Sequence, residues 1–589
     1  MRRGPALAVL LAATLPVCVA GAQDVSKDST TRRTPASSRG RLAVTGCAGQ
    51  PISDIVVLAQ PPYSDRLPAR FDFLRRFARA MHATTRDEIV HRYLLMHPGE
   101  PCNQIRRAES ERILRAQPFL ADARIRVYDD ERGGVRLEVE TRDEFSAIIE
   151  PTVHGSSPLL RGLRLGDGNV NGYGRLAAVE WREGLAYHDA LGMQYTDYQF
   201  GGDRNEFRAL AMQTLRGQEL RAEIVRPYYT DLQRFAFIGS VGGQRDYAPF
   251  RRPTGLGNAV EVASTDAVIG GIARIGSVRR LKLAGLTFTQ ATERVNGTPV
   301  IIGSEGFEPD TGLPLVANFR RKNVARINAL FGVRMLRFVP VEGFDALTGT
   351  QDIRVGMQLA TTYGHSIDLG TSHDRDRFMA ASLYAGIGGP KSFIGTQISG
   401  EARNDRVTGS WDNHIVSGRL AWYFRPAVHQ LTLLSSEWSA GRDMRTPFQL
   451  SLADHRGGLF GHHGSFDAGA KRLVVRGEQR LVIPSRLNVA DAGVAWFAEA
   501  GRLWGEESVP YSATTPWRGA VGVSLLAAVP PRSRRLWRLD FAMPVGNDRH
   551  NGFEVRFSNE DRTRVFWTEP RDVQSARERT TPRSLFTWP

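Results

Sequence analysis

Most of this 589-residue chain is written in one pattern. From about residue 151 to 567 it holds only strand-like runs, separated by Gly, Asp, Asn and Pro. Ile353, Val355, Met357 and Leu359 alternate with Arg354, Gly356, Gln358 and Ala360. Phe553, Val555 and Phe557 alternate with Glu554, Arg556 and Ser558, and Leu220, Ala222 and Ile224 with Arg221 and Glu223. A period of two places successive side chains on opposite faces of a sheet. About sixteen to nineteen such runs fill roughly 415 residues, a spacing that suits strands of a membrane-crossing barrel. A soluble all-β protein also alternates, so the pattern by itself leaves both architectures open.

The N-terminus decides the compartment. Met1-Arg2-Arg3 is a charged start, Ala6 to Ala13 an apolar core, and Ala20-Gly21-Ala22 a small-x-small cleavage pattern before Gln23. These are the parts of a secretory signal peptide, expected over 1–22. Cys18 follows Val17, which is not the small residue a lipoprotein signal needs. Past residue 23 no run of about 18 apolar residues exists to form a transmembrane helix. Residues 23–45 are rich in Ser, Thr, Arg and Asp and read as a flexible tether. The net charge of +15 comes mostly from arginines spread along the chain, never in a long block, which argues against a nucleic-acid partner.

Residues 46–148 carry mixed signals in the order β-α-α-β-β. Ile52 to Leu58 is a short strand, and an insert spaces Phe71, Leu74, Phe77 and Met81 as an amphipathic helix. Thr85 and Glu88 fit a capping box for a helix presenting Ile89, Val90, Tyr93 and Leu94, ended by Pro98-Gly99. A second helix is expected from Asn103 to Ala116. Two alternating strands follow, through Ala123, Ile125 and Val127 and through Val135, Leu137 and Val139, turning at Asp130 to Gly134. Cys47 and Cys102 both fall in this module. An oxidising compartment favours a disulfide between them, with two independent thiols as the alternative.

Two stretches here resemble a POTRA domain of the kind that directly precedes the barrel in outer-membrane proteins of the BamA/TamA (bacterial surface antigen) family. They are Thr84–Val90 with Leu94-Leu95 and Pro98–Pro101, and Glu109–Arg115 with Phe119-Leu120 and the strand ending in Thr141-Arg142-Asp143. Asp167-Gly168-Asn169 with Gly172 and Gly174 resembles the family's glycine turn after the first barrel strand, and Tyr195-Thr196-Asp197 and Arg226–Tyr229 resemble its next strands. Phe497–Trp504 resembles its Phe-x-Asp-x-Gly strand, and Arg538–Pro544 its penultimate strand. The resemblance implies a single POTRA-like module over 46–148, a barrel of about sixteen strands over 151–567, and a tail at 568–589.

The resemblance also implies a loop folded into the lumen. The family carries Arg-Gly-Phe or Arg-Gly-Tyr there, whereas this chain has Gly457-Gly458-Leu459-Phe460-Gly461-His462, with Phe460 in the arginine's place. The acidic partner that the arginine would meet corresponds to Glu499. A Phe offers a carboxylate no charge-assisted hydrogen bond, so His462, then Arg456, are the expected substitutes. Val475-Arg476-Gly477-Glu478 contains the same dipeptide but lies in the following strand, and it is set aside.

Enzyme chemistry is not expected. There is no Gly-x-Ser-x-Gly, His-Glu-x-x-His or Walker loop, and Gly388-Gly389-Pro390-Lys391-Ser392 lacks that spacing. His455, His462 and His463 read as loop histidines and imply no metal, and no cofactor is called for. Two function classes remain. One is an assembly or translocation barrel whose partners are membrane lipid, unfolded client strands and periplasmic accessory proteins. The other is a passive pore or structural barrel that keeps the architecture without the activity.

Overall fold

In the computed structural model the alternating runs pair edge to edge until the sheet closes on itself. The structure describes residues 45–586 except 64–72, 74–75, 77–81, 131, 154–159, 184–188, 253–257, 304–305, 311–320, 371, 454–456, 463–466, 484–488, 547–551 and 562–565. The signal peptide, the tether and the insert helix through Phe71 and Met81 therefore lie outside the described residues.

Closure of the wall satisfies the backbone hydrogen bonds that an open edge would leave bare in lipid. Val179, Leu191, Ile269, Leu286 and Phe331 project outward and are exposed, while Asp266, Thr287 and Asn328 on the same strands or their neighbours are buried inside. No helix among the described residues is long and apolar enough to cross a membrane.

The wall runs from Ala147–Val153 to Glu554–Asp561 and contains twenty strands among the described residues, with a short Gly306–Pro309 segment appended to one hairpin. Sixteen was too few. Leu160–Asp167, Arg175–Arg182, Asn205–Gln213 and Gln218–Arg226 are only eight or nine residues long, so the first part of the wall holds more strands per length than the average allows. The glycine turn at 168–174 follows the second wall strand, not the first. At Gly172 (φ 75°) a Cβ would lie 2.2 Å from the Thr84 carbonyl, so this turn needs glycine for close approach to the small domain.

That domain is a three-stranded sheet, β1 (Ile52–Gln60), β2 (Leu120–Asp129) and β3 (Val135–Asp143), in the order β1-β3-β2 with β1 parallel to β3. Helices α1 (Asp87–Tyr93) and α2 (Gln104–Arg115) cover it. Ile89, Val90, Tyr93 and Leu94 bury against Ile113, Leu114 and the inward residues of β2 and β3. Asn103 caps α2 by accepting from the backbone N–H of Ile105 and Arg106. The capping box at Thr85 does not form. Buried Asp143 takes both the Thr85 N–H (2.7 Å) and its hydroxyl (2.8 Å), and Asn169 of the barrel donates to the same hydroxyl. Cys47 and Cys102 are bonded, fastening the segment before β1 to the start of α2.

The domain docks on the turns at one end of the wall. Arg115 reaches both oxygens of Asp352 (2.9 and 2.8 Å), and Arg112 stacks on Phe338. Gln199 donates to the Ile89 carbonyl, and Arg204 to those of Arg92 and Leu94. Glu144 accepts from the Ser533 hydroxyl and the Arg534 N–H.

Candidate functional site in the barrel lumen

The inward positions of the wall carry an unusual load of charge, and three segments come together over them. The first is the seam. Neighbouring wall strands share long ladders, for example Arg535 to Ala542 against Glu554 to Asp561, and Ala147 to Val153 against Leu160 to Asp167. Between the first and last strands the described residues show a single paired couple, Val153 with Phe557.

The second segment is the loop between Gln430–Arg442 and Lys471–Ile483, which turns inward. Leu450, Leu452 and Leu459 pack with Val474 and Leu503 of the wall. At the loop tip the holding groups are backbone amides. The Phe460 N–H donates to Glu499, and the Gly461 N–H donates to Glu554 at 2.5 Å. Gly461 has φ 73° and sits against Pro544, where a Cβ would come within 2.8 Å, so only glycine fits this turn. The Phe460 ring lies 5.0 Å from that of Phe497, with the Arg556 guanidinium 4.0 Å from its centre.

Glu499 has its cation, from a position set aside in the sequence. Arg476 pairs with Glu499 at 2.9 Å and also donates to the Gly458 carbonyl. The two residues are direct cross-strand partners in the Lys471–Ile483 and Asp491–Trp504 pair, and their side chains point inward by alternation. His462 does not take the arginine's place: its Nε2 lies 3.0 Å from the Gly519 carbonyl. Arg456, His455 and His463 lie outside the described residues. A second pair, Arg556 with Glu554 at 2.7 Å, stands on the last strand. Two arginines and two glutamates thus clamp the loop tip, each glutamate spending one oxygen on a loop amide and the other on an arginine. Above them Arg538 joins Glu478 (2.8 Å) to Asp540 (2.5 Å).

The third segment is the tail, for which sequence patterning had offered no structure. Residues 566–586 lie in the lumen. Asp572 meets Arg472, Glu578 meets Lys322 and Arg326, and Arg577 reaches Glu569, Ser417 and the Ser399 carbonyl. Loop, tail and wall leave a cavity of about 900 Å³ that reaches the seam, where Pro151, Thr152, Phe557 and Ser558 border it beside Phe460, Arg476 and Glu499. No group of acidic, His or Cys side chains able to hold a metal occurs among the described residues.

The geometry defines a large membrane-type β-barrel, capped at one mouth by a small α+β domain and threaded by its own loop and tail. No family model matches the chain, and no curated protein does. Among solved structures it is similar to BamA from Haemophilus ducreyi lacking POTRA domains 1–3, at 11% identity over 87% of this chain and 84% of that one (TM-score 0.32). It is also similar to CdiB from Escherichia coli, at 12% identity over 90% and 93% (TM-score 0.37), and to CdiB from Acinetobacter baumannii, at 11% over 87% and 74% (TM-score 0.39).

Proposed function

We propose that this protein works in the bacterial outer membrane as an assembly or translocation barrel of the BamA/TamA type, with its POTRA-like domain on the periplasmic side. The observation that carries the reading is the seam. A wall closed by long ladders everywhere else is joined at the first and last strands by one described couple, Val153 with Phe557. In this reading an incoming extended segment adds to the wall at that junction by strand pairing. The cavity opens beside it, so a client strand entering there has room on the lumen side. Clients in this reading are unfolded outer-membrane or exported chains, and accessory proteins would meet the exposed faces of the small domain.

A passive pore is the rival. The packing of loop and tail in the lumen speaks against a wide, open channel. The test locks the seam with Val153→Cys and Phe557→Cys, which are cross-strand partners and so lie within disulfide reach. Locked protein should still shift mobility on boiling yet fail to support normal levels of outer-membrane proteins, and reduction should restore activity in reconstituted membranes. If locked and unlocked proteins serve equally well and depletion leaves the outer membrane unchanged, the passive barrel is the correct reading.

A further inference from the structure

The lumen holds the tail in a manner different from everything else in the wall. Strands are woven in by backbone ladders. Among the described residues, the backbone–backbone hydrogen bonds of 566–586 all close within the tail itself, as in Gln574 to Pro570 and Phe586 to Arg583. Its grip on the wall comes from side chains. Carboxylates of the tail face wall cations: Asp572 lies 2.5 and 3.0 Å from Arg472, and Glu578 lies 2.6 Å from Lys322 and 3.0 Å from Arg326. The reverse also occurs, with Glu401 accepting from the Glu578 N–H at 2.6 Å.

Apolar anchors alternate with these charges. Phe566 packs with Phe344 and Tyr423, Val573 and Ala576 with Leu452 and Leu459 of the infolded loop, and Leu585 and Phe586 with Tyr228 and Leu330. The path therefore starts near the domain-capped end, climbs to the infolded loop and returns.

We infer that the lumen is a peptide-binding site and that the C-terminal tail is its exchangeable resident ligand. The ligand class follows from the wall and from the shape of the bound tail: a short segment with a helical turn, as at Arg571–Ala576, with carboxylates spaced to meet Arg472 and the Lys322/Arg326 pair, an arginine for the Ser399–Ser417 position, and aliphatic or aromatic side chains between. A docked segment of this kind leaves as a unit without breaking the barrel, because no wall strand depends on it for a ladder. Its hold weakens with salt, which screens ion pairs. Nothing in the inference depends on the seam, so it can fail while the assembly reading stands, and the reverse.

The test reads the reactivity of a wall thiol under the tail. Ser417 is buried, and its hydroxyl lies 2.7 Å from Arg577, so Ser417→Cys is a near-isosteric reporter. In the full chain it should be protected from a small alkylating reagent in detergent micelles. A chain ending at Asp561, confirmed as folded by its heat-modifiable mobility, should react about tenfold faster or more, as expected when a protecting segment is removed. A synthetic peptide of residues 566–589, present during refolding, should restore protection. A peptide carrying Asp572→Asn and Glu578→Gln should protect less, and high salt should weaken the native peptide. Should the shortened chain fail to fold, the same two substitutions in the full chain are read instead and should raise reactivity. A folded shortened chain that stays protected overturns the inference, as does one that the peptide cannot protect again. So does a full chain whose neutralised tail protects as well as the native one.

Discussion

Replacing Arg476 with alanine removes the cation that faces Glu499, and the structure sets the size of the effect. The Glu499 side chain is fully buried and that of Arg476 is 28% exposed toward the cavity. Breaking a buried pair costs about 3–5 kcal/mol and an exposed pair about 0–1, so this half-shielded case should cost about 2–3. Arg476 also donates to the Gly458 carbonyl, and losing that bond adds about 1 kcal/mol. The assay is urea unfolding followed by loss of heat-modifiable mobility, with protease cleavage of the 443–470 loop as a local readout. Arg476→Ala should lower the unfolding midpoint and expose the loop. In a double-mutant cycle with Glu499→Gln, the two changes should be coupled by about 1–2 kcal/mol, because the second removes the charge that the first strands. His462→Ala, which loses only its contact with the Gly519 carbonyl, should cost about 1 kcal/mol and show no coupling to Glu499→Gln. Coupling below about 0.5 kcal/mol for Arg476, or an equal coupling for His462, would refute the assignment.

The disulfide closes a separation of 55 residues and should stabilise the small domain by about 4 kcal/mol in the chain-entropy account; two alkylatable thiols in unreduced protein would contradict it. Arg115→Ala should release the domain from the rim at a cost of about 3 kcal/mol, since both Arg115 and Asp352 are largely buried, and faster hydrogen exchange in the turn at 201–204 would report it. Glu144 is buried at the junction of domain and barrel, and that burial holds its carboxyl above the ordinary glutamate range despite nearby Arg535, Ser533 and Arg534. A carboxyl raised by folding favours its protonated form in the folded state, so its contribution is full below the unfolded value and is lost as pH climbs through the folded one. Docking should weaken over that rise, and Glu144→Gln should flatten the profile when domain release is followed against pH.

The small domain was legible because its signals are local. Ile89, Val90, Tyr93 and Leu94 recur at helical spacing, and the runs through Ile125 and Leu137 alternate cleanly, so each element could be read without knowing its neighbours. The Thr85 cap failed because a partner distant in sequence, Asp143, competes for the same hydroxyl and amide. Strand number failed for a similar reason: the length given to each strand was a general allowance, while several strands in the first part of the wall are shorter. The tail was marked at 568–589, but its place in the lumen was not legible. Its Asp572, Arg577 and Glu578 look like ordinary solvated charges, and only closure of a barrel around them supplies Arg472, Ser417 and Lys322 as partners.

Arg476 is the instructive case, because the information needed to find it was present. Strands Lys471–Ile483 and Asp491–Trp504 form a hairpin whose register pairs Lys471 with Trp504 and Ile483 with Ala492. Folding the sequence about the midpoint of the intervening turn sets Arg476 directly opposite Glu499, and alternation sends both inward. What a buried carboxylate requires is a guanidinium at hydrogen-bonding distance, and that requirement is indifferent to whether a loop or a strand delivers it. Delivery from the strand fixes the cation by the ladder, so the loop no longer needs a charged side chain at its tip. The tip is then free to bind through amides, with the Phe460 and Gly461 N–H groups on Glu499 and Glu554. Phe460 is left with a different task, seating its ring between Phe497 and Arg556. The cation that the resemblance placed in the loop thus stands on the neighbouring strand, and the loop tip is clamped all the same.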